Sequence, residues 1–161
     1  MTRTAIIPPA LRAVHDQWHF APAVRAGNLV FCSGIIGTSP DGNPPDHGLA
    51  GAQATTADRD APLTALMAVR DPAAQFATAF QALATILGAA GTDLAHVVEL
   101  TTYHVDMARH METFMQVRAR FLAPPYPAWT AVEVAGLIVP GGLVELRAVA
   151  QMPQLERDMG P

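Results

Sequence analysis

Apolar residues recur along the chain with two different periods, and the switches between them set out its elements. Around Val24 and Leu29-Val30-Phe31, short apolar runs flank Gly27-Asn28, a pair suited to a two-residue hairpin turn that needs positive backbone φ. The second run ends in Cys32-Ser33-Gly34-Ile35-Ile36-Gly37. From Asp71-Pro72 the period changes: Phe76, Phe80, Leu83 and Leu87 return every three or four residues, with Ile86 beside them, which predicts a helix. Asp71 suits its N-cap, Pro72 its first position, where the missing N–H costs nothing, and Gly88 or Gly91 its stop. Residues 97–105, rich in Val, Thr and Tyr, read as a strand. Residues 106–122 place Met111, Phe114, Met115, Phe121 and Leu122 on a second helical stripe, which Pro124-Pro125 ends. A strand, a Gly-Gly turn at 141–142 and a second strand follow. This order predicts an α/β (α+β) fold in which two helices pack on one face of a mixed sheet. The sheet's other face then needs cover, which favours assembly.

Between the hairpin and the first helix the pattern fails. Residues 38–70 carry Pro40, Gly42, Pro44, Pro45, Gly48, Gly51 and Pro62, which break any long element, so a long loop or insertion is expected, with a short helix possible over 64–70. Residues 1–17, with adjacent prolines and no clean period, read as an N-terminal arm. Residues 18–152 then form a single domain and 153–161 a tail.

Composition narrows the function. A chain of 161 residues fits one domain. Its net charge of -4, with every basic residue a scattered Arg, gives no electrostatic footprint for nucleic acid. Half of the residues are apolar and only 15% charged, which slightly favours an oligomer. The single cysteine, Cys32, excludes an internal disulfide and fits a reducing cytosol. No apolar run reaches the roughly 20 residues of a membrane helix. A soluble, cytoplasmic protein with no membrane partner is expected. The six histidines show no metal-ligand spacing, so no metal is expected.

The C-terminal block Pro124-Pro125-Tyr126-Pro127-Ala128-Trp129-Thr130-Ala131-Val132-Glu133-Val134, followed by Pro140-Gly141-Gly142-Leu143-Val144-Glu145-Leu146-Arg147-Ala148-Val149-Ala150, resembles the signature of the Rid family of imine and enamine deaminases. The opening hairpin ending in Ser33-Gly34, and the stretch from Leu94 through Tyr103-His104-Val105-Asp106, are similar to that family as well. The resemblance implies a chorismate-mutase-like homotrimer with pockets between subunits, hydrolysing small reactive imines without metal or cofactor. In that family an Arg grips the substrate carboxylate and a Glu on the last strand positions water. Matched by position, the Arg falls on Trp129, the Glu on Arg147 and an aromatic Tyr on Phe20, while Ser33 and Gly34 keep their match.

Two residues apart on a strand share a face, so Glu145 and Arg147 point the same way. If that face lines a pocket, the cation has moved from the strand of Trp129 to its neighbouring strand, where Arg147 anchors an anionic substrate and Glu145 does acid–base work; otherwise the two belong to a surface or intersubunit ion pair. Trp129, held stiffly after three prolines, is expected to offer a planar ligand a stacking platform, or else to fill the vacated Arg site. Tyr103 and His104 alternate on their strand, and the family resemblance implies that Tyr103, a pocket candidate, lies on the face away from the helices, with His104 turned toward them as a structural histidine; His19 beside Phe20 is a further candidate. Cys32 lacks any group to activate its thiol and reads as core. These residues suggest a hydrolase or tautomerase of altered specificity. The alternative is a binding or scaffold trimer that has lost the chemistry. A ribonuclease role has little support in an acidic chain.

Overall fold

In the computed structural model, which describes residues 2–45 and 66–154, the chain opens with strand β1 (Arg3–Ile6) and helix α1 (Arg12–Trp18). The hairpin of β2 (Ala23–Ala26) and β3 (Leu29–Cys32) follows, then the short strands β4 (Ile35–Ile36) and β5 (Thr38–Ser39). Next come β6 (Met67–Ala68), α2 (Pro72–Ala90), β7 (Val97–His104), α3 (Met107–Phe121), β8 (Ala128–Glu133) and β9 (Val144–Gln151). Ala26 pairs with Leu29, so Gly27-Asn28 is the two-residue turn, with φ 61° at Gly27.

The main sheet runs β1-β2-β3-β9-β7-β8, with β4 also paired to β9. Its pairings are antiparallel except β7 with β8, which α3 connects. A parallel neighbour requires such a crossover, and the stripe of α3 supplies the helix that packs back on the sheet. On that side Val144, Leu146, Ala148 and Ala150 of β9 and Leu100, Thr102 and His104 of β7 are buried. Phe114 of α3 meets Phe76 of α2 edge-on at 5.6 Å and stacks on Phe80 at 6.0 Å, clamping the two helices together. After the irregularity between Val97 and Glu99, the odd positions of β7, with those of β9, take the opposite face, among them Thr101, Tyr103, Glu145 and Arg147, and there Phe31 is 38% exposed and Val132 39%.

The ends of α2 are formed as its sequence predicts: Asp71 Oδ2 accepts from the Ala74 amide at 2.8 Å, and Gly91 closes the helix at φ 85°. Contrary to the sequence expectation, α2 is long and apolar enough to cross a membrane by composition, with mean hydropathy 1.3. Its Phe76, Phe80, Leu83 and Leu87 are instead buried in the core.

Three further expectations change. The N-terminal segment is docked: β1 pairs with β2, and α1 adds a third helix. Where a short helix was expected near 64–70, Met67 and Ala68 form a strand paired with Thr38 and Ser39. β8 and β9 are not neighbours, because β7 lies between them. The rest of the expected loop, 46–65, and most of the expected tail, 155–161, lie outside the described residues.

His104 is buried toward the helices, its Nε2 2.7 Å from Thr102 Oγ1 and its Nδ1 without a partner among the described residues. Burial pulls its pKa below the ordinary histidine value. Such a group keeps its full contribution above the unfolded pKa, about 6.5, and stability is lost as pH falls from there toward the folded value. Because the Glu145 contribution is common to both proteins, thermal melts at pH 5 and pH 7.5 are expected to show a more unfavourable change on acidification in the unchanged protein than in His104→Gln.

Candidate functional site

β9 is served by two strands on one edge: β3 pairs with residues 149–151 and β4 with 145–146. Between them Ser33-Gly34 leaves the ladder, and the break is tied down locally. The Ser33 amide donates to the Pro22 carbonyl at 2.9 Å and its hydroxyl to the Ala21 carbonyl at 2.7 Å. Glu145, opposite Ile36 on one side and Tyr103 on the other, turns its carboxyl into this break. A β-carbon at Gly34 would collide with Glu145 Oε1, so the bare glycine makes the seat.

The break forms one wall of a cavity of about 1120 Å³. Leu11, just before α1, and Val14 and Trp18 within it face it with Phe20; Thr78 and Ile86 of α2, the β6 strand and residues 138–141 complete it. Gln75 fixes two of these walls: its buried amide nitrogen donates to the carbonyls of Val69 (2.9 Å) and Gly141 (3.1 Å), and its oxygen accepts from the Leu143 amide (2.7 Å). Among the described lining residues Glu145 is the one acid and Arg70 the one base. The Arg70 guanidinium is held by the Asp41 carbonyl at 2.7 Å and by Asn43 Oδ1 at 3.2 Å. Burial raises the Glu145 pKa, and its carboxyl makes no hydrogen bond among the described residues. Such a carboxyl holds its proton to higher pH than an ordinary glutamate, which suits a group that must both take and give one.

Four of the eight residues singled out from sequence, Phe20, Ser33, Gly34 and Glu145, meet in this cavity. Tyr103 lies across the ladder from Glu145 but outside the lining. His19 is exposed, in a left-handed conformation at the end of α1. His15, one turn earlier in that helix, has its Nδ1 2.7 Å from Asp16 Oδ1. Arg147 shares the face of Glu145, as its spacing requires, but its guanidinium pairs with Glu99 at 3.3 Å, both side chains being about half exposed.

Trp129 departs furthest from expectation. It pairs with Leu100 in the β7–β8 register and points to the helix side, opposite Arg147. Its indole donates to Thr102 Oγ1 at 3.0 Å, stacks on Phe114 at 6.2 Å and carries the Arg118 guanidinium at 4.7 Å over its ring. It is a packing residue, and no charge has passed between adjoining strands, because β7 separates β8 from β9. Cys32 is core, its thiol pushed up to about 12 by burial.

The walls contributed by α1 were missed in the sequence, although Leu11, Val14 and Trp18 stand at helical spacing.

The profile of the endoribonuclease L-PSP family matches residues 11–152. The chain belongs to that family. RutC family protein YjgH of Escherichia coli is 30% identical over 154 residues, covering 94% of this chain and 97% of that protein. A solved structure of protein YjgH superposes with a TM-score of 0.71 at 29% identity, covering 96% of this chain and all of that one. A YjgF/YER057c/UK114 family member from Mycobacterium tuberculosis does so at 0.68 and 27%, covering 94% of this chain and all of the other. These are the relatives that the Rid resemblance pointed to. The L-PSP match runs from α1 to the end of β9, so all the described walls of the cavity lie within the family's own extent.

Gly34→Ala tests the seat. The alanine methyl displaces a flexible carboxyl end rather than backbone, so the fold is expected to survive. Any activity that depends on Glu145 should fall, by less than on removing the carboxyl itself. Circular dichroism and kcat/KM, measured together, check both halves.

Proposed function

We propose that this L-PSP family chain hydrolyses a small planar imine or enamine, with Glu145 moving the protons. The observation that carries the reading is the Glu145 carboxyl: the one acid among the described lining residues, seated on Gly34, without a hydrogen-bonding partner there and with raised pKa. For a protonated imine, ionised Glu145 takes a proton from water as the oxygen attacks the imine carbon. A C–O bond forms and the C=N π pair moves to nitrogen, giving a neutral carbinolamine. Glu145 then returns that proton to nitrogen. As the C–N bond breaks and the carbonyl forms, it accepts the hydroxyl proton and passes it to the departing ammonia. Iminium and water thus become carbonyl compound and ammonium, with Glu145 restored. A carboxyl whose pKa lies nearer the working pH serves both directions better.

The face bearing Tyr103, Arg147 and Phe31 fits the homotrimer that the family resemblance implies, since it leaves apolar side chains bare within one chain. A second reading, binding without turnover, draws support from Arg147, whose charge is already answered by Glu99. Ammonia release from an imine made in situ by an oxidase separates the two. The proposal expects a rate above the buffer-catalysed background; a rate equal to background at high protein concentration contradicts it.

A further inference from the structure

We infer that the cavity selects imines of simple amines, apolar and without a carboxylate, over imino acids. The inference rests on the reading of this cavity as the reaction site. Its walls are apolar or aromatic: Val14, Trp18, Phe20, Ile36, Ile86 and Ile138. Trp18 and Phe20 are 42% and 38% exposed, leaving ring surface for a planar ligand. The charge pattern decides the class. Arg70 is the single cation among the described lining residues, and two of its nitrogens are bonded into the 41–43 turn, to the Asp41 carbonyl and Asn43 Oδ1. Glu145 is left as the charge that faces a ligand. A carboxylate entering this space would lose its water, find no free guanidinium among the described lining residues, and meet an anion. A protonated imine with an apolar tail meets apolar walls and an opposite charge instead. Trp129 and Arg147 do not alter this balance, since one packs under α3 and the other pairs with Glu99 outside the lining.

The class of reaction that supplies such a substrate is oxidation of a primary amine, which leaves an imine on the former amine carbon. A matched pair tests the selectivity: the imine made from 2-phenylethylamine by an amine oxidase, and that made from phenylalanine by an amino-acid oxidase, both with catalase present. They differ by one carboxylate. The amine-derived imine is expected to be hydrolysed with kcat/KM at least about tenfold higher, since discrimination follows the unpaired charge. Ile138→Lys, at a lining position 73% exposed and tolerant of change, should narrow that ratio. Equal rates, or faster hydrolysis of the imino acid, overturn the inference. If neither imine is turned over, the proposed reaction fails, and selectivity is decided by calorimetric titration with 2-phenylethylammonium and with phenylpyruvate. Tighter binding of the amine by about tenfold upholds the charge argument; equal binding, the reverse order, or binding of neither overturns it.

Discussion

Glu145→Gln is expected to lower kcat/KM for imine hydrolysis by about 100-fold or more, the usual worth of a positioned acid–base group. Glutamine keeps the length and planar end of the side chain, and so the seat on Gly34 and the shape of the cavity, but cannot take a proton from water. The loss should fall mainly on kcat, because the carboxyl acts on the attacking water, with a smaller rise in KM for a protonated imine as the opposite charge goes. The same substitution should stabilise the fold at neutral pH. A carboxyl whose folded pKa is raised is fully tolerated below its ordinary titration range and costs stability as pH rises through the folded value. Melting midpoints of the two proteins should therefore meet near pH 4 and separate by pH 7, with the variant higher. A variant that is slower but no more stable at pH 7 would place the carboxyl in water rather than in the break.

Trp129→Ala is expected to cost about 3 kcal/mol, at the lower end for large aromatic truncations because the indole is only partly buried. Three contacts go at once. Phe114 loses a stacked ring, Thr102 loses the N–H donated to its hydroxyl, and Arg118 loses the face beneath its guanidinium. The last matters because Arg118 is buried and its Nε has no partner among the described residues, where the indole is one of two rings answering that charge. For a chain of this size the loss corresponds to a fall in Tm of roughly 6–12 °C. Below the melting range the turnover per folded molecule should stay within about twofold of the unchanged protein, since Trp129 faces away from Glu145. Trp129→Phe should recover much of the stability, keeping the stack while giving up the hydrogen bond.

The contrast between these residues shows how far the sequence could be read. The β2–β3 hairpin and both long helices were legible because their signals are local: a Gly-Asn turn, an Asp-Pro cap, apolar residues every third or fourth position. Glu145 and Arg147 were correctly placed on one face, since strand alternation is a matter of counting. The neighbour of β9 could not be counted. It depends on α3 carrying the chain across the sheet, so β8 lands beyond β7, and Trp129 parts company with Arg147. The position of Trp129 was further obscured because β8 is an edge strand, exposed at nearly every position, with no clean alternation to mark its inner face. The cavity was hidden for another reason. Its α1 wall lies behind Pro8-Pro9, which make the start of the chain look unstructured, and faces α2 residues more than sixty positions away.

The most direct test of Glu145 as the proton-moving group is the pH dependence of kcat/KM for imine hydrolysis, measured for the unchanged protein and for Glu145→Gln after subtraction of the spontaneous rate. The unchanged protein should show a limb that rises with pH and is centred above the ordinary glutamate range, in line with the raised pKa, and the residual activity of the variant should lack it. The same limb persisting in Glu145→Gln would assign the titrating group elsewhere and contradict the site described.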